Sequence, residues 1–562
     1  MFSNYDYDII IIGGGISGIF LAYKLLDTNL KVIVLEGNKR VGGRIKTIQK
    51  DNTVFEAGAA RFHSSHGKLI SLVHDLDLED NIIKLPQGIH HILRNSKENY
   101  PYQTKNKESS FHELLIQSVK SMDRFSKEEL NEITFFQYLT LVYDHETALY
   151  IKDSFGYDSE IIDISAFNAL QMFQDDFFGE DNYYGLKNGL SQVIEKMKEE
   201  IEKTNTIIKT NCSVKEIYKD YIVTHKGEKF YYEHLICAIP QNSLHKIDYF
   251  KDVPLIQSVK PIPLLRIYAK YPTKNLWFKD IQKTTTDNYI RQIIPIDYEK
   301  GLIMISYTDG KNAELFNSYN NLNEDLLIQA IHKEIKELFG IKPPNPNFVS
   351  VHYWKGGLHL WKLGEDGQKV SKKVLKPDEG NEVYICGEAF SLKQGWIEGA
   401  LDTCYSILSI LPSLKNYKLV KYEYLCGTEG EVNNVEEDKV EEEKVEEEKE
   451  IKEEEEVKEI KKEEKEIQLY TIDEVLEQDE WIIIEVDGKK NIYDLSKWIQ
   501  HHPGGDAIFQ GIEANNHYKN KKLYPDSPTE LFDGIHYHHE EGAFEKYFKN
   551  KNEYVELVGR LK

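Results

Sequence analysis

The chain has 562 residues and a formal charge of -24, long enough for two or three domains and acidic enough to argue against nucleic acid or an anionic membrane surface as partner. That acidity is concentrated: between Val435 and Ile467, 18 acidic side chains stand against 8 basic ones. The five cysteines (212, 237, 386, 404 and 426) contain no C-x-x-C, and there is no basic-then-apolar leader or run of 18 apolar residues, so a cytoplasmic protein without a disulfide framework or transmembrane segment is expected.

The first predicted element is a strand over residues 9–12, leading into Ile12-Gly13-Gly14-Gly15-Ile16-Ser17-Gly18. Three glycines at these offsets suit a dinucleotide site. Gly13 makes the tight turn, Gly15 admits the pyrophosphate, and Gly18 lets the following helix pack on the strand. That helix, starting near Ile16 with Ser17 in its first turn, aims its N-terminal amides at phosphate. A second apolar strand, Val32-Ile33-Val34-Leu35, ends at Glu36, where a ribose-binding carboxylate belongs. Further β-branched runs at 235–239, 302–306 and 383–386 alternate with helical patterns as far as about residue 420, as an α/β fold requires.

Arg40-Val41-Gly42-Gly43-Arg44 follows the second strand. Later come Glu56-Ala57-Gly58-Ala59-Ala60-Arg61, Val214, Cys237-Ala238-Ile239-Pro240, and Cys386-Gly387-Glu388-Ala389 with Gly395-Trp396-Ile397-Glu398-Gly399-Ala400. In this order they resemble the flavin amine oxidase family over nearly all of residues 5 to 412. The resemblance implies a Rossmann-like, two-subdomain FAD-binding fold over 1–420, with dissociable FAD. It implies cofactor contacts from Gly13, Gly15, Ser17, Gly18, Glu36, Arg44, Gly58, Ala59, Arg61, Val214, Gly387, Glu388, Trp396 and Ile397, with Arg40 and Arg44 meeting the phosphates and Val214 the adenine.

Two positions narrow the substrate. Arg61 and the Gly395-Trp396 pair resemble the L-amino-acid oxidases, where an arginine holds the substrate carboxylate; a planar guanidinium fork grips a carboxylate bidentately. Trp396 then walls the substrate against the flavin. Arg266, in Arg266-Ile267-Tyr268-Ala269-Lys270, stands where the family strand carries a flavin-facing lysine that assists reoxidation by oxygen. Either Lys270 substitutes or the oxygen half-reaction differs. Arg61, Arg266 and Trp396 are therefore the expected catalytic positions. The implied reaction takes a hydride equivalent from the carbon bearing a neutral amine and yields an imine, then keto acid and ammonia. It needs no side-chain nucleophile, and no general base is assigned.

Residues 421–468 form a linker that from about Gly427 to Ile467 collapses to Glu, Lys and isolated Val or Ile without a heptad, a charged tether that is either a solvated helix or a disordered chain. Mixed composition returns over 469–562. There Tyr470-Thr471-Ile472-Asp473 reads as a helix start, and Trp481-Ile482-Ile483-Ile484-Glu485-Val486 and Lys490-Asn491-Ile492-Tyr493 as paired strands. His502-Pro503-Gly504-Gly505 then offers an imidazole on a tight turn. These residues resemble a small α+β cytochrome b5-like domain, which implies haem b with His502 as one axial ligand. His536 is the expected second, His538 or His539 are alternatives, and His517 is more remote.

The whole reads as an FAD-dependent oxidoreductase acting on an L-amino acid, with electrons passing to haem and finally to oxygen or a redox protein. Three rivals stay open: a peroxide-producing oxidase whose haem domain serves another partner, a catalytically silent flavoprotein scaffold, and an enzyme for primary amines or polyamines.

Overall fold

The computed structural model describes residues 5–414, apart from 87, 95–101, 105, 107–108 and 178–182, together with strands at 469–470, 481–486, 489–494 and 556–561. The chain divides into two compact units, Met1–Lys421 and Tyr422–Lys562.

In the first unit the strand Tyr7–Ile12 pairs in parallel with Val32–Leu35 on one side and Lys229–Cys237 on the other. Ile207–Lys209 and Val383–Ile385 extend the parallel array, and Val214–Ile217 and Tyr221–Thr224 add an antiparallel edge. Side chains alternate across a strand, and both faces here are covered. Ile9, Ile11, Val32 and Val34 enter a core with the helices Ile16–Lys24, Ser191–Glu202 and Ile397–Ile410, while Ile10, Ile12, Ile33 and Leu35 enter a second core with Leu244, Phe250 and Val374. Burial on both faces is why these strands read as unbroken apolar runs. Truncating a fully buried member such as Ile10 to alanine costs about 2–5 kcal/mol.

A second sheet is built on the long strand Val259–Lys270, flanked antiparallel by Phe348–Trp361 and Leu302–Asp309 and continued by Gln292–Asp297, Thr284–Thr286 and His90–Ile92. Leu265, Ile267 and Ala269 pack with Ile331 and Ile335 of the helix Glu324–Phe339. Arg266 and Tyr268 therefore project from the opposite face. There they meet the hairpin Thr47–Lys50/Thr53–Glu56, with the Tyr268 and Phe55 rings 4.4 Å apart. The register sets Arg266 opposite Tyr307 on one neighbour and His352 on the other. The hairpin turns through Asp51 and Asn52, both at positive φ, as a two-residue hairpin turn prefers.

Helices between Phe111 and Phe177 form a third core around Leu115, Phe135, Tyr138 and Ile151. Three of them open on capping boxes, Ser110/Glu113, Ser126/Glu129 and Thr134/Gln137, each satisfying two orphan amides reciprocally. A small three-stranded sheet sets Phe62 opposite Tyr184 and His63 opposite Tyr183, carrying Tyr183 to the neighbourhood of Arg61.

In the second unit the described residues form a four-stranded sheet. Trp481–Val486 and Lys489–Asp494 pair antiparallel, Glu556–Leu561 joins next, and Leu469–Tyr470 lies parallel at the edge. The expected strand pair is thus present, whereas Tyr470, the first residue of the expected helix start, lies in a short strand. The charged tether, His502-Pro503-Gly504-Gly505, His517, His536, His538 and His539 lie outside the described residues. Cys212, Cys237, Cys386 and Cys404 are buried free thiols. Among the described residues no helix is long and apolar enough to cross a membrane, and no cluster of His, Cys, Asp or Glu has the makings of a metal site.

Candidate functional site

The turn after the first strand is held by its own backbone. Gly13 sits at φ +108, and a Cβ there would fall 2.5 Å from the Ala238 carbonyl oxygen. A Cβ on Gly18 would lie 1.9 Å from the Gly13 oxygen, so helix and strand approach as closely as only glycine allows. At Gly15, by contrast, a Cβ would meet nothing within 4 Å. The helix Ile16–Lys24 has no side-chain cap and no acid in its first turn. The amides of Gly15, Ile16 and Ser17 take no partner among the described residues. An open approach, free amides and the positive end of a helix dipole suit the pyrophosphate of FAD. Glu36 is buried at the end of the second strand, accepting from the Gly14 amide at 2.7 Å and from the Asn38 amide and side chain at 2.7 Å. Cys212 donates its amide to the Glu36 carbonyl, which brings Val214 to the same end of the sheet.

The two arginines of Arg40-Val41-Gly42-Gly43-Arg44 divide their work. Arg40 donates to the carbonyls of Val41, Gly43 and Ile45 and so braces its own loop. Arg44 donates to the Gly357 carbonyl and, at 2.6 Å, to Glu388. Glu388 also accepts from the Gly395 and His359 amides, both at 2.9 Å, and its carboxylate lies 3.0 Å from His359 Nδ1. Burial alone would raise its pKa; the Arg44 guanidinium, then His359, pull it well below the usual carboxylate range. This one carboxylate thereby joins the N-terminal arginine loop, the long strand Phe348–Trp361 and the loop that leads to Trp396. Gly387, at φ +130, would bring a Cβ to 3.9 Å from Ser17 Oγ, so the first and last cofactor segments abut. Gly58 stands at the same junction, where a Cβ would fall 1.8 Å from the Arg44 carbonyl oxygen that accepts the Ala59 amide.

Arg61 lies in different company. Its guanidinium sits over the rings of Tyr183 (4.6 Å) and Trp396 (5.7 Å). Those two rings lie nearly parallel, and His66 packs edge-on against Trp396 at 4.8 Å. Among the described residues Arg61 has no carboxylate partner and no hydrogen bond. Tyr157, Tyr183 and Tyr307 hold its charge, raising its pKa against the burial that would lower it. Arg266 belongs to the same group. It donates to the Glu56 carbonyl at 3.1 Å and to the Tyr307 hydroxyl at 3.0 Å, with its guanidinium 4.3 Å from the Tyr307 ring. Tyr157 packs edge-on against Tyr307, their rings 5.2 Å apart. Arg61, Tyr157, Tyr183, Tyr307 and Trp396 are each only partly covered, so they line accessible space and are not packed into a core. Burial keeps His66 neutral, its pKa lowered to about 3.

Lys270 is directed elsewhere, donating to the Asp51 carbonyl at the exposed end of its strand. Ile397 is the first residue of the last helix and Trp396 its N-cap. The three expected catalytic positions, Arg61, Arg266 and Trp396, thus form one cluster, while Gly13, Gly15, Glu36 and Gly387, expected at the nucleotide, follow the C-terminal ends of the first sheet's parallel strands. Tyr157, Tyr183, Tyr307, His66 and His359 were not anticipated. A tyrosine outside a motif carries no signal among 35, and only the pairing of Phe62–His63 with Tyr183–Leu186 and of Val259–Lys270 with Leu302–Asp309 brings Tyr183 and Tyr307 in.

The family model described as "Flavin containing amine oxidoreductase" matches residues 16–405. The chain is similar to a probable flavin-containing monoamine oxidase A of Dictyostelium discoideum, 26% identical over 468 residues that cover 74% of this chain and 99% of that protein. It is also similar to an L-amino-acid oxidase of Sistrurus catenatus edwardsii, 23% identical, with 70% of this chain and 85% of that one covered. Among solved structures, a putrescine oxidase bound to putrescine shares the fold with a TM-score of 0.58 at 17% identity, over 72% of this chain and 99% of that one.

Proposed function

The chain belongs to the flavin-containing amine oxidoreductases, and we propose that within that family its substrate is an L-amino acid, held through its carboxylate by Arg61. It is an FAD-dependent oxidoreductase of the amine oxidase type. One observation carries the finer reading: Arg61 is a guanidinium over two aromatic rings, without a carboxylate partner among the described residues. A partly covered cation without a counter-ion is poorly compensated, and a substrate carboxylate arriving there would supply the anion with two parallel hydrogen bonds. Trp396 and Tyr183 flank the guanidinium and exclude water from that contact. FAD, when bound, supplies the acceptor for the hydride leaving the substrate carbon. Orientation of that carbon falls to Arg61 at one end and the aromatic wall at the other.

The residues proposed to hold FAD are those of the first turn (Gly13, Gly15, Ser17, Gly18 and Glu36) with Arg44, Gly58, Ala59, Val214, Gly387, Glu388, Trp396 and Ile397. The free amides of Gly15, Ile16 and Ser17 support this.

Anaerobic mixing of the holoprotein with L-leucine, L-phenylalanine, benzylamine and putrescine tests the substrate class. Bleaching of the visible flavin band by the amino acids, abolished in Arg61→Ala, is the expected result. Bleaching by the amines alone, undiminished in Arg61→Ala, overturns it.

The proposal extends to the second unit, where haem b on His502 and His536 would serve as a one-electron relay. This rests on the amino-acid sequence there. A Soret band in the purified protein, with haem reduction following flavin reduction, supports it. Protein grown with haem precursor that lacks the band refutes it.

A further inference from the structure

Two guanidiniums share the Arg61 cluster, and the surrounding carboxylates among the described residues are committed elsewhere. Glu56 gives Arg266 only its backbone carbonyl; its carboxylate accepts from Thr47 Oγ1 and, at 2.6 Å, from the Leu190 amide. Asp309, two residues along the strand from Tyr307, accepts the amides of Asp158 and Ser159. Asp158 pairs with Arg291 and Lys152, and Glu388 pairs with Arg44. The nearby imidazoles are neutral: burial lowers His66 to about 3 and His352 to about 4. Tyr268 donates to the Glu56 carbonyl, and burial pushes its hydroxyl up to about 12.

Among the described residues the phenols around the two cations are Tyr157, Tyr183 and Tyr307. Tyr307 is in contact with Arg266 Nη2 at 3.0 Å, the same guanidinium lying 4.3 Å from its ring. The Tyr157 ring packs edge-on against the Tyr307 ring at 5.2 Å, and Gln292 is the register neighbour of Tyr307 on the adjoining strand. Burial would raise Tyr307; Arg266 and Arg61 outweigh it and lower its pKa, while Tyr157 is raised, so any negative charge in the pair resides on Tyr307.

An amino acid reaches such a site as a zwitterion, whereas oxidation consumes the neutral amine. We infer that Tyr307, held by Arg266, accepts a proton from the substrate ammonium as the substrate carboxylate settles on Arg61. In this step one substrate N–H bond breaks and the Tyr307 O–H bond forms; no electrons change hands. The cluster keeps its balance throughout, because the arriving carboxylate replaces the phenolate as the anion facing the two arginines. The inference rests on the amino-acid reading above, and it supplies the proton acceptor that the reaction otherwise lacks.

The test uses the holoprotein and its Tyr307→Phe and Tyr157→Phe variants. In the ligand-free wild type, ultraviolet difference absorption on raising the pH is expected to show one phenolate forming ahead of ordinary tyrosines, which ionise near about 10. That step is expected to vanish in Tyr307→Phe. Benzoate, used as a carboxylate probe in weak buffer with an indicator dye, is expected to bind with uptake of a proton in the wild type and none in Tyr307→Phe. With L-phenylalanine, flavin reduction in rapid mixing is expected to vary little above neutrality in the wild type. In Tyr307→Phe it should climb by about tenfold per pH unit, because only the free-amine fraction then reacts. A wild type without an early phenolate step overturns the inference whatever the variants do, as does a Tyr307→Phe enzyme with an unaltered pH profile. An early phenolate step combined with no benzoate binding upholds Tyr307 as the ionised group and faults the amino-acid reading instead.

Discussion

Arg44 and Arg61 leave the same stretch of chain and meet opposite fates. Arg44 ends 2.6 Å from a buried carboxylate that also takes two backbone amides and an imidazole. Arg61 ends over two aromatic rings with no carboxylate among the described residues. The first arrangement is complete, and its charges cancel across three chain segments. Among the described residues the second is short of a carboxylate, which under the proposed function makes it the receptor for the substrate carboxylate. Whether a buried cation serves as a brace or as a binding group depends on what the tertiary fold sets opposite it.

The sharpest way to break the contrast is to remove the receptor. Arg61→Ala is expected to cut kcat/KM for an amino acid about a thousandfold, equivalent to ~4 kcal/mol, while thermal stability holds. Steady-state kinetics beside a melting curve measure both. Removing the brace should do the reverse. Glu388→Gln leaves Arg44 without its counter-charge and is expected to cost about 3 kcal/mol of stability and to weaken FAD retention; denaturant unfolding and cofactor release read it. Gly58→Ala strains the junction between the two sites, since a Cβ would fall 1.8 Å from the Arg44 carbonyl. It is expected to cost about 2 kcal/mol, seen as a lower unfolding midpoint with an unchanged denaturant slope.

Acid offers the gentlest comparison. The His66 Nδ1 accepts the His63 amide, and its folded pKa is lowered from 6.5 to about 3. Between those values the unfolded chain binds a proton that the folded one does not, so this contribution is full above 6.5 and is lost as the pH falls. The expected slope is ~1.4 kcal/mol per pH unit. Glu388, also lowered in the folded state, loses its contribution only below its unfolded value of 4.5. Unfolding titrations of His66→Asn, which keeps an acceptor in place, should flatten the 6.5 to 4.5 limb. Those of Glu388→Gln should leave that limb and remove part of the more acidic one.

Much of the nucleotide end was legible because its requirements are local. Gly13, Gly15, Gly18 and Glu36 lie within one strand–turn–helix–strand unit, and each residue type is dictated by backbone conformation or close approach over a short span. Arg61 and Trp396 were singled out from motif likeness, and Arg266 from a departure within a likeness. That they meet could not be read from spacings of more than a hundred residues. The resemblance set Arg44 at the cofactor phosphates but did not foresee Glu388 as its partner, 344 positions away. His359, the third member of that junction, lies outside the motifs that carried the resemblance.

By itself the amino-acid sequence determined the parallel sheet, because unbroken apolar strands and a glycine turn have few other outcomes when both faces must be buried. It also determined the class of cofactor. Only the tertiary structure decided which arginine has a carboxylate and which has none among the described residues, and that Tyr307 meets Arg266 and packs against Tyr157. Charge balance in a buried site is a sum over side chains from distant segments, and that sum exists only once strand pairing has brought them together.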